Sequence, residues 1–113
     1  MAYLLKQKSK NLHLELLEPY NLTQLCEAFS NAAVMLANEK YDKLIIDTLK
    51  LDKPFSFIDR CHLISNLSEF GFKRSTPLVN VCHFDDDYRR NMETLAKNRG
   101  WNFTTTCNMV SSQ

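Results

Sequence analysis

The sequence has few of the features that mark several classes of protein. Glycine occurs 2 times and proline 3 times in 113 residues, which argues against a low-complexity or fibrous chain. No stretch approaches the roughly 18 apolar residues that a membrane-spanning helix needs. The net charge of +1 is too balanced for a typical nucleic-acid-binding protein. In the N-terminal segment the apolar residues precede the lysines, so we expect no signal peptide and a cytoplasmic location.

The four cysteines are widely spread and form no C-x-x-C pair. They are Cys26, Cys61, Cys82 and Cys107. This spacing indicates neither a zinc knuckle nor a thioredoxin-type site, and we expect no metal or cofactor. In a reducing cytosol these residues are expected to be buried thiols that act as small hydrophobic side chains.

The apolar residues that are present suffice for one folded domain, which we assign to residues 1–113. They make up 44% of the chain, and its length is close to the commonest domain size. Short apolar runs at 3–8 and 12–17 flank a polar turn and predict an N-terminal β-hairpin. Alternation along the second strand places His13 and Glu15 on one face. The other face then carries its three leucines, Leu12, Leu14 and Leu16.

Helical spacing of the apolar residues predicts three helices after the hairpin. They cover about 21–38, 56–70 and 85–99, with Gly71 and Gly100 ending the second and third. Asn21 with Gln24 is a capping-box start for the first. The inner stripe of the second helix is predicted to contain Phe57, Cys61, Ile64, Leu67 and Phe70.

Three further apolar runs, at 44–47, 77–81 and 101–107, predict strands that follow these helices. The order β-β-α-β-α-β-α-β implies parallel pairing through right-handed crossovers, with the hairpin as an antiparallel addition. The predicted fold is therefore an α/β domain with a mixed, mostly parallel sheet and helices packed on it. Residues 108–113 carry no firm signal.

In open α/β sheets, ligands usually bind at the carboxyl ends of the strands. That rule selects the loop after Asp47, the corner at 82–85 and the end at Cys107. If the strands are parallel, these three places are neighbours. The first is followed by the helix start Ser56-Phe57-Ile58-Asp59-Arg60. Ser56 and Asp59 there are either a common N-cap pair or a place where a phosphate on Ser56 would meet the helix dipole.

The other strand ends offer residues for two kinds of chemistry. The acids at 85–87 suit a solvated first helical turn better than a metal site, because their spacing is not that of metal ligands. Cys82 next to His83, or across from His62, offers a nucleophile and a base only if the side chains face each other. Adjacent residues on a strand face opposite sides, which leaves only the pairing of Cys82 with His62 open. The sequence also has no G-x-S-x-G, P-loop or G-x-G-x-x-G motif, so we expect no enzyme activity.

Four segments carry a resemblance to a known family. They are LIID at 44–47, FSFID at 55–59, PLVNVC at 77–82 and LAKNRGWNF at 95–103, in which A-K-N-R-G is the most specific phrase. The chain resembles STAS-like proteins, the group similar to bacterial anti-sigma-factor antagonists. The resemblance implies a STAS-like fold that serves protein–protein signalling.

In that family a serine at the start of the second helix is phosphorylated, and Ser56 falls at the matching position. Phe55 and Phe57 replace the family's neighbouring residues, and Ile58 stands where the family has glycine. The resemblance therefore predicts a non-enzymatic regulatory domain whose partner is another protein. Its partner-facing or phosphate-facing residues would be Asp47, Ser56, Asp59 and Arg60.

The alternative is a domain that binds a small molecule, either a lipid or a nucleotide. Its pocket would lie between the second and third helices, lined by Phe57, Cys61, Phe84 and Tyr88. A homodimer is a further expectation, because an exposed edge strand needs to be covered. Neither alternative involves a nucleic acid or a membrane span.

Overall fold

The chain alternates strands and helices in the order that the sequence predicts. A computed structural model describes residues 2–107, and the tail at 108–113 lies outside them. These described residues form five strands and four helices. In chain order they are β1 (Tyr3–Lys8), β2 (Asn11–Leu16), α1 (Leu22–Asn38), β3 (Lys43–Asp47), α2 (Phe57–Ser65), α3 (Leu67–Phe70), β4 (Leu78–Val81), α4 (Asp86–Lys97) and β5 (Phe103–Thr106).

The second predicted helix is interrupted at Asn66, which separates α2 from α3. The Asn66 Nδ2 donates to the His62 carbonyl oxygen at 2.7 Å, and the Asn66 backbone N–H donates to the same oxygen at 3.2 Å. A side-chain amide that bonds the preceding turn in this way competes with regular helix geometry. As predicted, Gly71 follows the end of α3, with a φ of 111° that glycine adopts without steric cost.

The five strands form one sheet whose spatial order, β1-β2-β3-β4-β5, is also their order along the chain. β1 and β2 are antiparallel, and the other three neighbouring pairs are parallel. The prediction of a mixed, mostly parallel sheet is therefore confirmed. All the helices pack on one face of this sheet. This is the arrangement expected when successive parallel neighbours are joined by right-handed crossovers in the same direction.

A single hydrophobic core lies between that face and the helices. It joins side chains of the strands to the inner sides of α1, α2, α3 and α4. Leu12, Leu14 and Leu16 of β2 are fully buried there. Burial of each such leucine contributes about 1.5–3 kcal/mol relative to exposure. These three leucines lie on the face that the alternation predicts.

The other face of the sheet, here called the helix-free face, carries no helix within residues 2–107. Strand alternation places His13, Glu15, Ile45 and Asp47 on it. All four side chains are nevertheless buried, with Glu15 the most exposed at 7%. The helix-free face therefore holds charged groups with little access to water.

Helix starts follow the predicted capping chemistry. The Asn21 side chain accepts from the Gln24 N–H at 2.8 Å, and the Gln24 side chain accepts from the Asn21 N–H at 3.0 Å, which completes a capping box. At α4, Asp85 accepts from the Tyr88 N–H at 2.9 Å. Each bond satisfies a helical N–H that has no partner within the helix.

Candidate functional site

The sheet brings the carboxyl ends of β3, β4 and β5 together, as the parallel order predicts. The Thr48 N–H donates to the Val81 carbonyl oxygen at 2.9 Å. One strand further, the Cys82 N–H donates to the Thr106 carbonyl oxygen, also at 2.9 Å. The three places selected from the sequence are therefore neighbours at one edge of the sheet.

Asp47 ends β3 but lies apart from the start of α2. Its side chain is on the helix-free face, and its Oδ2 is 3.1 Å from the Nε2 of His13. Its Oδ1 accepts from the Leu49 N–H at 2.9 Å. With 5% of its surface exposed, Asp47 is engaged by its own chain. The structure therefore does not bring it together with Ser56.

A second charged contact lies beside this pair. Glu15, which is in register with Asp47 across β2 and β3, is 3.3 Å from the Nζ of the exposed Lys50. The other ring nitrogen of His13, Nδ1, is buried and has no hydrogen-bond partner in the described residues. Sequence reasoning missed the pairing of His13 with Asp47. The only available signal was that both residues belong to the polar side of neighbouring strands.

Ser56 is exposed and caps α2. Its Oγ accepts from the Asp59 N–H at 3.1 Å, which satisfies one of the free N–H groups at the helix start. Of the two interpretations of this helix start, the ordinary N-cap is therefore present. The hydroxyl also remains on the surface.

Phe57 and Ile58 project from the first turn of α2 into solvent, with 55% and 77% of their surfaces exposed. The prediction that Phe57 belongs to the inner stripe of this helix is wrong. The physical reason is that Phe55, just before the cap, already fills that place in the core at 4% exposure. Its ring makes an edge contact with Tyr20, with ring centroids 5.9 Å apart.

Arg60 fills the space between α2 and α4. Its Cζ lies 5.5 Å from the ring centroid of Phe57 and 4.7 Å from that of Tyr88. Its Nη1 donates to the Asn91 Oδ1 at 2.8 Å. Cation–π contacts of this kind are worth about 0.5–2 kcal/mol each. These contacts fix the position of Arg60 and of the first turn of α2 against α4.

Tyr88 connects Arg60 to the next aromatic ring, Phe84, whose centroid is 5.3 Å away. The Tyr88 hydroxyl accepts from the Phe55 N–H at 3.3 Å. Burial raises the pKa of Tyr88 to about 12, although this hydrogen bond and the nearby Arg60 oppose the shift. Of the residues predicted to line a pocket, Phe57, Phe84 and Tyr88 thus form a chain of contacts through Arg60. The fourth, Cys61, is half-buried on α2.

The cysteines and histidines do not assemble into a nucleophile and base. Cys82 is fully buried, and burial raises the pKa of its thiol. Among residues 2–107 no histidine ring is hydrogen-bonded to it. His83 instead places its Nε2 2.8 Å from the Leu51 carbonyl oxygen. The expectation that the four cysteines are buried is correct for Cys82 alone. Cys26 and Cys61 are half-buried, and Cys107 is exposed just beyond the end of β5.

The three acidic residues at 85–87 contact different partners. Asp85 caps α4, whereas Asp86 pairs with Arg89 and Asp87 lies 4.0 Å from Arg90. In the described part of the chain no three metal-ligating side chains converge on one point. The acidic run therefore forms the first turn of a helix, where negative charge is favourable.

We call the helix start from Ser56 to Arg60 the 56–60 surface. Ser56, Phe57 and Ile58 are exposed there, whereas Asp59 and Arg60 are half-buried. Over residues 2–107 no helix is long and apolar enough to cross a membrane. Comparison of the sequence with protein-family models, and with curated proteins, finds no match.

Proposed function

We propose that this chain is a non-enzymatic, STAS-like interaction domain that docks through its 56–60 surface into an apolar pocket of a protein partner. The observation that carries the proposal is the exposure of Phe57 and Ile58, side by side, at 55% and 77%. A helix that faced only water at this turn would gain nothing from two large apolar side chains. A partner that covers them would remove both from water.

The energy available from such contacts is enough for specific binding. Full burial of an isoleucine or phenylalanine side chain yields about 1.5–3 kcal/mol. Interfaces also concentrate their binding energy in a few aromatic, arginine and apolar anchors that sit on rigid supports. Arg60, held between two rings and by Asn91, provides that support.

The position of Ser56 supports a regulated version of this docking. The resemblance to anti-sigma-factor antagonists aligns it with a phosphorylated serine, and its side chain is exposed next to the two apolar residues. A phosphate there adds about 1.5–2 negative charges beside the apolar pair. An apolar pocket of the partner would have to desolvate those charges, so phosphorylation is expected to weaken docking.

The proposal is tested with the full chain as bait in cell extract. Ile58→Asp places a charge in the 56–60 surface, and Val34→Asp is the matched control, because Val34 is an exposed apolar residue of α1 at 55%. We expect a partner that is retained by the wild type and by Val34→Asp but lost by Ile58→Asp.

The partner is then purified, and its affinity is measured by isothermal titration calorimetry. Loss of one buried isoleucine contact and burial of a charge should weaken binding by more than about tenfold, since each 1.4 kcal/mol is a factor of ten. Equal affinity of the wild type and Ile58→Asp would contradict docking at this surface. If the retained protein is a second copy of the chain, the same pair of variants shows it as a change in sedimentation.

A further inference from the structure

A cavity of about 300 Å³ opens at the amino ends of β2 and β3, beside the turn of the β1–β2 hairpin. Lys8, Lys10, Asn11 and Lys43 line it, together with Ile45. Its volume is at the lower end of the range that holds small-molecule ligands. The 56–60 surface follows the opposite, carboxyl end of β3, so the two features are separate.

The pairing of three neighbouring strands brings the hairpin residues of the cavity next to Lys43, which is distant in the sequence. Lys8 is the partner of Asn11 across β1 and β2, and Asn11 is the partner of Lys43 across β2 and β3. Directly opposite residues of neighbouring strands have side chains about 4.5–5.5 Å apart at their Cβ atoms. The two lysines therefore flank the asparagine in one row on the helix-free face.

The hairpin turn brings the third lysine to the same place. The Asp42 N–H donates to the Lys10 carbonyl oxygen at 2.7 Å, which ties the turn to the segment that leads into β3. None of Lys8, Lys10 and Lys43 forms an ion pair in the described residues. Asp42 is the only carboxylate among the lining residues, so the local charge is +2.

Asn11 is the second and independent observation. The residue is 8% exposed, and its side-chain amide, which still reaches the solvent, has no hydrogen-bond partner among the described residues. An unpaired amide on the wall of a basic cavity is a donor placed to meet an anion.

We propose that this cavity is a binding site for a small phosphate monoester. The phosphate of such a compound carries about 1.5–2 negative charges at neutral pH, which matches the local charge of +2. In the proposed complex its oxygens accept from the lysine ammonium groups and from the Asn11 amide. Ile45 provides an apolar wall for the organic part of the ligand. Inorganic phosphate shares the same recognition chemistry and would bind more weakly.

The test is an NMR titration of the full chain with inorganic phosphate and with glycerol 3-phosphate, at constant ionic strength. We expect saturable shifts of the backbone N–H signals of residues 8–11 and 42–45, with the monoester binding more tightly. In the double variant Lys10→Gln/Lys43→Gln, affinity should fall at least about tenfold. Lys53→Gln, which removes an exposed lysine outside the cavity, is the control and should bind as the wild type does.

Asn11→Asp tests the contribution of the amide independently of the lysines, because it replaces the amide by a carboxylate of the same size. It should abolish saturable binding, while the rest of the spectrum reports that the fold is intact. Linear shifts without saturation in the wild type would overturn the proposal. So would equal weakening by Lys53→Gln and the double variant, since both results describe nonspecific charge attraction.

Discussion

Replacement of Asp47 by alanine should lower the free energy of unfolding by about 2–4 kcal/mol. The carboxylate accepts two hydrogen bonds, one from the His13 Nε2 and one from the Leu49 N–H, and it is 5% exposed. The His13 Nε2 is buried, so leaving it without a partner costs about 1–3 kcal/mol, whereas the Leu49 N–H can bond to water and its lost bond costs about 0.5–1.5 kcal/mol. The imidazole cannot escape this cost by moving its proton, because its Nδ1 is also buried and without a partner in the described residues.

Asp47→Asn should restore most of the loss and cost about 1 kcal/mol, a typical value for one hydrogen bond. The amide oxygen can still accept from the His13 Nε2, so the ring keeps its proton there. The amide nitrogen then faces the Leu49 N–H, which belongs to a residue that is 36% exposed and can bond to water instead. The difference in unfolding free energy between the two variants thus tests the hydrogen bonds of Asp47 and not only its burial.

The assay is urea unfolding followed by the fluorescence of Trp101, the single tryptophan of the chain, which is 4% exposed in the fold. Asp52→Ala is the matched control, because the Asp52 side chain is exposed, and it should change stability by less than about 0.5 kcal/mol. The reasoning is refuted if Asp47→Ala behaves like this control. It is refuted as well if Asp47→Asn is as destabilising as Asp47→Ala.

Three further changes have outcomes that follow from the structure. Burial alone raises the pKa of Glu93, but hydrogen bonds from Thr105 and the charge of Lys97 outweigh it and lower the pKa below the ordinary 4.5. The Glu93 carboxylate thus stabilises the fold above its ordinary pKa, and this effect is lost as the pH falls through the lowered pKa. Urea unfolding should therefore show that Glu93→Gln is more destabilising at pH 7 than at pH 3. Ser9→Gly should stabilise the fold by about 0.5 kcal/mol, because Ser9 has a φ of 56° and glycine relieves this left-handed strain at some cost in entropy. Ser56→Ala should lower stability by about 0.5–2 kcal/mol in the same assay, since it removes the cap of α2.

Each of these three predictions has an outcome that would refute it. A Glu93→Gln variant that is equally destabilising at both pH values would mean that the charge of the carboxylate has no part in the effect. A loss of stability in Ser9→Gly would mean that the turn is not strained by its side chain. An unchanged stability of Ser56→Ala would mean that solvent satisfies the Asp59 N–H equally well.

The sequence predicts the architecture well because local signals and the sheet agree. Alternation in β2 separates His13 from its neighbouring leucines, and capping residues such as Asn21 and Asp85 lie at the observed helix starts. Strands that are joined through a single helix then pair in parallel with the next strand along the chain. The interruption at Asn66 escaped prediction, because it depends on one side chain bonding the preceding turn.

The candidate site was predicted only in part. Ser56 caps α2 as expected, but Asp47 turns toward His13, and this contact depends on the pairing of β2 with β3. Helical periodicity assigned Phe57 to the core because it cannot tell which of two nearby phenylalanines fills one place. Phe55 takes that place, and Phe57 becomes the exposed residue.

The most direct test of the central claim is photocrosslinking in living cells from position 58. A photoreactive amino acid replaces Ile58 in one full-length variant and Val34 in the other, since both side chains are exposed. Docking through the 56–60 surface predicts one defined crosslinked protein from position 58, absent from position 34 and weakened when Ser56 is replaced by aspartate. The same pattern of crosslinks from both positions, or none from position 58, would contradict it.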